Sequence, residues 1–117
     1  MLGSGDRSVK EGEASEGWLV ALAVDDLWEH EMVGVRVGEA EVLLVNLGGG
    51  DVHAYENRCP HAGARLSEGH LSATTLTCGV HLWEFDARTG AGQNPRNCQL
   101  RRYPVKIEGG AVMVRVR

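Results

Sequence analysis

Two short segments, Cys59-Pro60-His61 and Cys78-Gly79-Val80-His81, each supply one thiol and one imidazole, with sixteen residues between His61 and Cys78. Two thiolates and two imidazoles are a donor set for metal. A cluster of two irons and two sulfides with mixed ligation needs two Cys on one iron and two His on the other. The paired motifs match that need in number, residue type and pairing. Cys59 and Cys78 are therefore assigned to a buried iron, and His61 and His81 to an outer one. In an extended loop Cys59 and His61, two apart, reach one side, and Pro60 stiffens the backbone between them. Gly79 reaches backbone angles closed to other residues and lets Cys78 and His81 converge. Zinc held by the same four side chains is the rival. Zinc fingers usually pair Cys with Cys and His with His around a helix, whereas each half here mixes the two. Both metals stay open on the motifs alone.

The elements that must position these loops read as strands. Trp18–Val24 is an expected strand, followed by a turn at Asp25-Asp26-Leu27-Trp28. Val33, Val35 and Val37 alternate within Met32–Val37, the period of a half-buried strand. Glu41–Leu47 is a denser apolar run, and Gly48-Gly49-Gly50 turns it back into Asp51–Tyr55 as a hairpin. Periodicity is weak from about Asn57 to Asn97, where only Thr74–Cys78 and Trp83–Asp86 stand out before a Thr89-Gly90 turn. Alternation returns in Tyr103–Ile107 and Ala111–Val116, which flank Glu108-Gly109-Gly110 as a last hairpin. The expected organisation is a polar tail over residues 1–17, then one domain over 18–117. Within it, a loop-rich metal-binding subdomain over about 57–97 interrupts an antiparallel β-sandwich or barrel.

Composition narrows the function. At 117 residues the chain is one domain, and 16 glycines with 5% aromatics suit an all-β fold rich in tight turns. No apolar run approaches the length of a membrane-spanning helix, and Met1–Gly17 has no pattern of a secretion signal; the expected location is cytoplasmic. Three cysteines, two of them in the motifs, argue against a disulfide framework. Cys98 reads as a free thiol. The net charge of −4 gives no reason to expect nucleic acid, and its acids suit a docking face for a basic partner.

The four-ligand pattern resembles the signature of the Rieske family. Asp25-Asp26-Leu27-Trp28, Val42–Asn46, Leu66-Ser67-Glu68-Gly69, His81-Leu82-Trp83-Glu84-Phe85, Thr89-Gly90, Asn94-Pro95 and Tyr103-Pro104-Val105 are similar to one branch of it. That branch is the Rieske ferredoxins of four-component diiron monooxygenases that oxidise toluene, related arenes and alkenes. The resemblance covers about Trp18 to Val116. It implies a Rieske fold, one [2Fe–2S] cluster per chain, and a monomer that is not itself an enzyme. Such a carrier takes single electrons from a flavin-containing NADH reductase to a diiron hydroxylase. Two further electron-transfer roles are carried beside it: the ferredoxin of an aromatic-ring dioxygenase, and the small Rieske subunit of an assimilatory reductase.

Departures from the respiratory members of the family carry information. Those proteins place a Cys in each ligand loop and bridge the cluster with a disulfide; the matching positions here are Ala64 and Val80. They also donate hydroxyls where this chain has Trp83 and Phe85. Fewer donors to the cluster stabilise its reduced form less. The expected potential is near the negative end of the Rieske range of about −150 to +300 mV. Trp83 reads as a lid over the cluster or as an exposed contact where electrons leave. Pro95 matches the family's proline-containing cover loop. His30, His53 and His70 lack ligand spacing, Arg65, Glu68 and Arg88 read as solvated charges near a docking rim, and Trp18 and Trp28 read as core.

Overall fold

The computed structural model describes residues 17–60, 63–80 and 82–116. The tail expected over 1–17 lies outside them except for Gly17, as do the His61 and His81 positions. The described residues form an all-β chain with two single 3₁₀ turns, Val24–Asp26 and Leu66–Glu68. The strands are β1 (Trp18–Ala23), β2 (Glu31–Val37), β3 (Ala40–Asn46), β4 (Val52–Glu56), β5 (His70–Ser72) and β6 (Thr75–Thr77). They continue with β7 (Glu84–Asp86), β8 (Gly92–Asn94), β9 (Arg102–Tyr103), β10 (Val105–Glu108) and β11 (Ala111–Arg115). Every pairing is antiparallel. One sheet runs β9-β4-β3-β2, a second β10-β11-β1, and a third, of three-residue strands, β5-β6-β7-β8.

β3 organises the interior. Its apolar run has no polar face because both faces are covered. Val42 and Leu44 join Leu27, Ala54, Tyr103, Val112 and Val114 in a scaffold core. Leu43 and Val45, one residue out of phase, join Tyr55, Leu66, Leu76, Phe85, Ala87, Leu100 and both motif cysteines. The period-2 geometry of a strand thus divides four consecutive apolar residues between two cores.

Both expected hairpins form. Leu47 N–H donates to the Asp51 carbonyl (2.9 Å) and Asp51 N–H to that of Gly48 (3.1 Å). Glu108 pairs with Ala111 around Gly109 and Gly110, whose φ of +60° and +78° fit a tight two-residue hairpin turn. The expected strand Tyr103–Ile107 is instead two strands. Pro104 has no N–H for a ladder, and at it the chain passes from the β4 partner of β9 to the β11 partner of β10. Trp28 is also not core: it is 67% exposed, its Nε1 donating only to the Asp25 carbonyl at 3.2 Å. Trp18 is half-buried, with Lys106 Nζ 4.6 Å and Arg115 Cζ 4.7 Å from its ring centre. Its ring holds these two cations against the sheet.

Candidate metal centre

Two loops bring the motif cysteines together. The first follows β4. Cys59 N–H donates to the Ala64 carbonyl and Gly63 N–H to that of Cys59, both at 2.8 Å, so Cys59 is tied to Gly63 and Ala64. Gly63, with φ +70°, takes the left-handed backbone at this point without strain. The second loop is the β6–β7 connection, closed by Cys78 N–H donating to the Trp83 carbonyl at 2.8 Å. The expected strands Thr74–Cys78 and Trp83–Asp86 are shortened at this point, because Cys78 and Trp83 close the loop instead of extending the ladder.

Both thiols are fully buried in the same core. The Cys78 thiol is pushed up by burial, opposed by the Val80 N–H pointing to it (3.5 Å from Sγ) and reinforced by the neighbouring Cys59 thiol. Two adjacent buried thiols with one aimed backbone donor are a poor arrangement for free cysteines. As a pair of thiolates on one iron they are well placed, since the metal supplies the missing positive charge and backbone N–H groups stabilise sulfur charge. His61 and His81, the other two expected ligands, lie outside the described residues. Among the described residues no group of three or more metal-binding side chains assembles, and no disulfide links Cys59, Cys78 and Cys98. At the two positions where respiratory relatives bridge the cluster, Ala64 is half-buried against the core and Val80 is exposed.

Residues with no metal-binding chemistry hold the loops in place. Buried Asn57 accepts the Ser67 N–H at Oδ1 (2.9 Å) and donates from Nδ2 to Ser67 Oγ (3.0 Å). Its own N–H donates to Glu41 on β3 (2.9 Å). This clasp fits only because residue 34 is Gly: a Cβ there would lie 2.6 Å from Asn57 Nδ2. Tyr55 Oη, carried on scaffold strand β4, donates to the Ala87 carbonyl within the ligand-end core at 2.7 Å, and burial pushes that phenol up to about 12. Gly69 approaches the Thr77 carbonyl so closely that any Cβ would collide with it. Asn57 and Tyr55 carry no motif; their signal in the sequence is a polar group flanking a ligand loop.

The other singled-out residues separate cleanly. Trp83 is half-buried against the ligand-end core, the placement of a lid rather than of an exposed contact. Cys98 is half-buried, its Sγ donating to the Pro95 carbonyl at 3.4 Å, and burial raises its thiol pKa. His53 lies on β4 between Asp51 (Nε2 to Oδ1, 2.8 Å) and Arg102 (Nδ1 to Nη2, 2.9 Å). A guanidinium only donates, so Nδ1 is the acceptor and the proton sits on Nε2. Arg88 pairs with Asp86 at 2.9 Å, holding that carboxyl below its ordinary range, while Arg65 and Glu68 are exposed.

Leu82 was not singled out. It has φ +59°, a left-handed conformation that costs a residue with a Cβ about 1–2 kcal/mol, and it is 68% exposed.

The Rieske [2Fe-2S] domain model matches residues 17–104. The ferredoxin component of the alkene monooxygenase system of Xanthobacter autotrophicus is 48% identical over 93 residues, covering 79% of this chain and 75% of the relative. The ferredoxin component of the naphthalene 1,2-dioxygenase/salicylate 5-hydroxylase systems of a Ralstonia species is 35% identical over 103 residues, covering 87% and 98%. Among solved structures, the ferredoxin of carbazole 1,9a-dioxygenase from Nocardioides aromaticivorans IC177 superposes with a TM-score of 0.79 at 30% identity, covering 87% of this chain and all of that one. With two buried thiols in two closed loops at one end of an all-β scaffold, the chain belongs to the family of Rieske [2Fe-2S] domains, and its resident group is a [2Fe–2S] cluster of Rieske type.

Proposed function

We propose that the chain is the ferredoxin of a multicomponent monooxygenase, passing single electrons from a flavin-containing NADH reductase to a diiron hydroxylase. The cluster, when bound, takes up and releases one electron. Cys59 and Cys78 hold its buried iron, and His61 and His81 its outer iron. The domain is residues 18–117, the loops and short strands of about 57–97 form its cluster-binding part, and it acts as a cytoplasmic monomer.

The observation that carries this reading is the adjacency of the Cys59 and Cys78 thiols, fully buried at the end of the molecule where two loops reach solvent. Around them the chain's own residues do three things. Asn57, Ser67 and Gly34 fix the first loop against the scaffold. Trp83 and Leu66 exclude water from the thiols. Val80 N–H stabilises charge on Cys78. Alkene oxidation is supported by the named system of the 48% relative. The ferredoxin of an aromatic-ring dioxygenase is the second reading, favoured by the 35% relative.

Purified holoprotein tests both. The expected result is a brown protein that restores NADH-dependent oxidation when added to reductase and diiron hydroxylase from the same source. Restored turnover only with a dioxygenase favours the second reading, and a colourless protein with stoichiometric zinc overturns both.

A further inference from the structure

Two observations at the ligand end are not used by holding a cluster. First, Leu82 combines a left-handed backbone with a side chain left in water, and Val80, on the other side of position 81, is 41% exposed. Gly or Asn adopts that backbone with little or no strain, so the fold gains nothing from Leu at this place. Strained residues at a loop that carries function point to a use outside the fold. Second, charge is distributed against the overall balance. In a chain of net charge −4, the exposed guanidiniums of Arg58 and Arg65 flank the first ligand loop. They line one cleft together with Arg101. Arg101 sits over the Tyr103 ring at 5.3 Å. Glu39, Glu41 and Glu56 share the cleft; Glu41 is paired with Arg36 at 2.7 Å, which leaves two acids against the three guanidiniums.

We propose that Leu82, with Val80 beside it, is the docking knob of this chain, inserting into an apolar socket on the hydroxylase whose rim on the Arg58–Arg65–Arg101 side is acidic. This rests on the electron-carrier reading above and adds the chemistry of the partner's surface. The second ligand loop supplies the apolar anchor and the first supplies cations that steer and orient. An anchor at the centre with charge at the rim is the arrangement in which a small contact gains both specificity and rate. It reverses the expectation from composition, that acids on this chain meet a basic partner. Weak, short-lived contacts of redox partners suit a single knob.

The test uses holoprotein carrying Leu82→Asn, with Leu82→Gly as a second strain-relieving variant and Leu82→Met as the variant that keeps an apolar knob. The first two should keep the visible spectrum, the midpoint potential and the rate of oxidation by ferricyanide, which needs no docking. Their melting temperature should equal or exceed that of the wild type, because the backbone strain is relieved. Electron transfer to the hydroxylase from the same source should need at least about tenfold more carrier for half-maximal rate, while Leu82→Met stays within about threefold of wild type. In Arg58→Gln/Arg65→Gln/Arg101→Gln, the loss of rate that the wild type shows on raising salt from about 0.05 to 0.5 M should be largely abolished. Wild-type transfer rates in Leu82→Asn overturn the knob, a lower melting temperature in both Asn and Gly variants overturns the strain argument, and an unchanged salt dependence overturns the acidic rim. A wild-type holoprotein that reduces no hydroxylase at all instead overturns the carrier reading on which the inference stands.

Discussion

On one face of β3, Val42 and Leu44 meet only apolar neighbours and Tyr103, supplied by strands of up to seven residues. On the other face, Leu43 and Val45 meet Leu66, Leu76 and Phe85, but also two thiols, and the sheet beyond them is built from three-residue strands. The scaffold side is the kind of core that holds itself together: long ladders, continuous apolar contact, few loops. The ligand side has short ladders, which contribute little alone. It leans instead on clasps from the scaffold at Asn57 and Tyr55, and on whatever the two cysteines bind. The same strand thus serves a self-sufficient core and a dependent one, and that division is where the account is most exposed to test.

The largest effect should come from removing the group that the dependent side leans on. Cys78→Ser or His81→Ala should bleach the protein and lower its melting temperature by more than about 10 °C, because ligand binding is coupled to folding. The loss of amide protection should concentrate in residues 59–94 and leave β3 and β11 protected, as hydrogen exchange would record. Uniform loss of protection would erase the distinction between the two sides.

Next come two neighbouring substitutions that differ only in the face they empty. Leu44→Ala and Leu43→Ala should each destabilise by about 2–5 kcal/mol in denaturant unfolding. Leu43→Ala alone should also speed loss of visible absorbance under a chelator, since its cavity opens beneath the cysteines. Equal chelator sensitivity in the two variants would mean that the cores are not separate in practice.

A smaller effect is expected at the clasp. Tyr55→Phe leaves the buried Ala87 carbonyl without its donor and should cost about 1–3 kcal/mol. The phenol's raised value also fixes a pH dependence. A group held at about 12 when folded, against 10.0 ordinarily, contributes stability that is present below pH 10 and is lost as the pH rises toward 12. Tyr55→Phe should remove that alkaline component. Asp86 has the opposite sign, since Arg88 lowers it: its contribution is present at neutral pH and lost as the pH falls below the carboxylate range, so Arg88→Gln should weaken the protein at pH 7 and flatten its acid side. The smallest effect belongs to Cys98→Ser, which should leave the spectrum intact and shift stability by less than about 1 kcal/mol.

The residues show how far the sequence could be read and where it stopped. The hairpins at Gly48–Gly50 and Gly109-Gly110 and the strand Met32–Val37 were legible because turn chemistry and period-2 alternation are local. β3 was legible as a strand, but the assignment of its two faces to different cores was not, since an unbroken apolar run carries no phase. β5 and β8 were missed and β9 was merged with β10: strands of three residues or fewer have no periodicity, and their pairing is imposed by partners distant in the chain. Trp28 misled because a large aromatic is core on average, whereas here a local bond to Asp25 holds it at the surface. Cys59 and Cys78 were legible as a pair from residue type and spacing. Asn57, Tyr55 and Gly34, which position them, were not, because their roles depend on contacts across ten residues or more. Nor was Leu82, whose backbone angle no sequence pattern announces.

The central claim is mixed ligation, with Cys59 and Cys78 on one iron and two histidines on the other. Its most direct test is electron–nuclear double resonance on the reduced holoprotein grown with ¹⁵N-labelled histidine. The account predicts two distinct nitrogen couplings at the reducible iron, with the His81→Ala variant lacking a normal cluster signal. An iron–sulfur signal with no histidine nitrogen coupling, or a colourless protein holding one zinc, would contradict it.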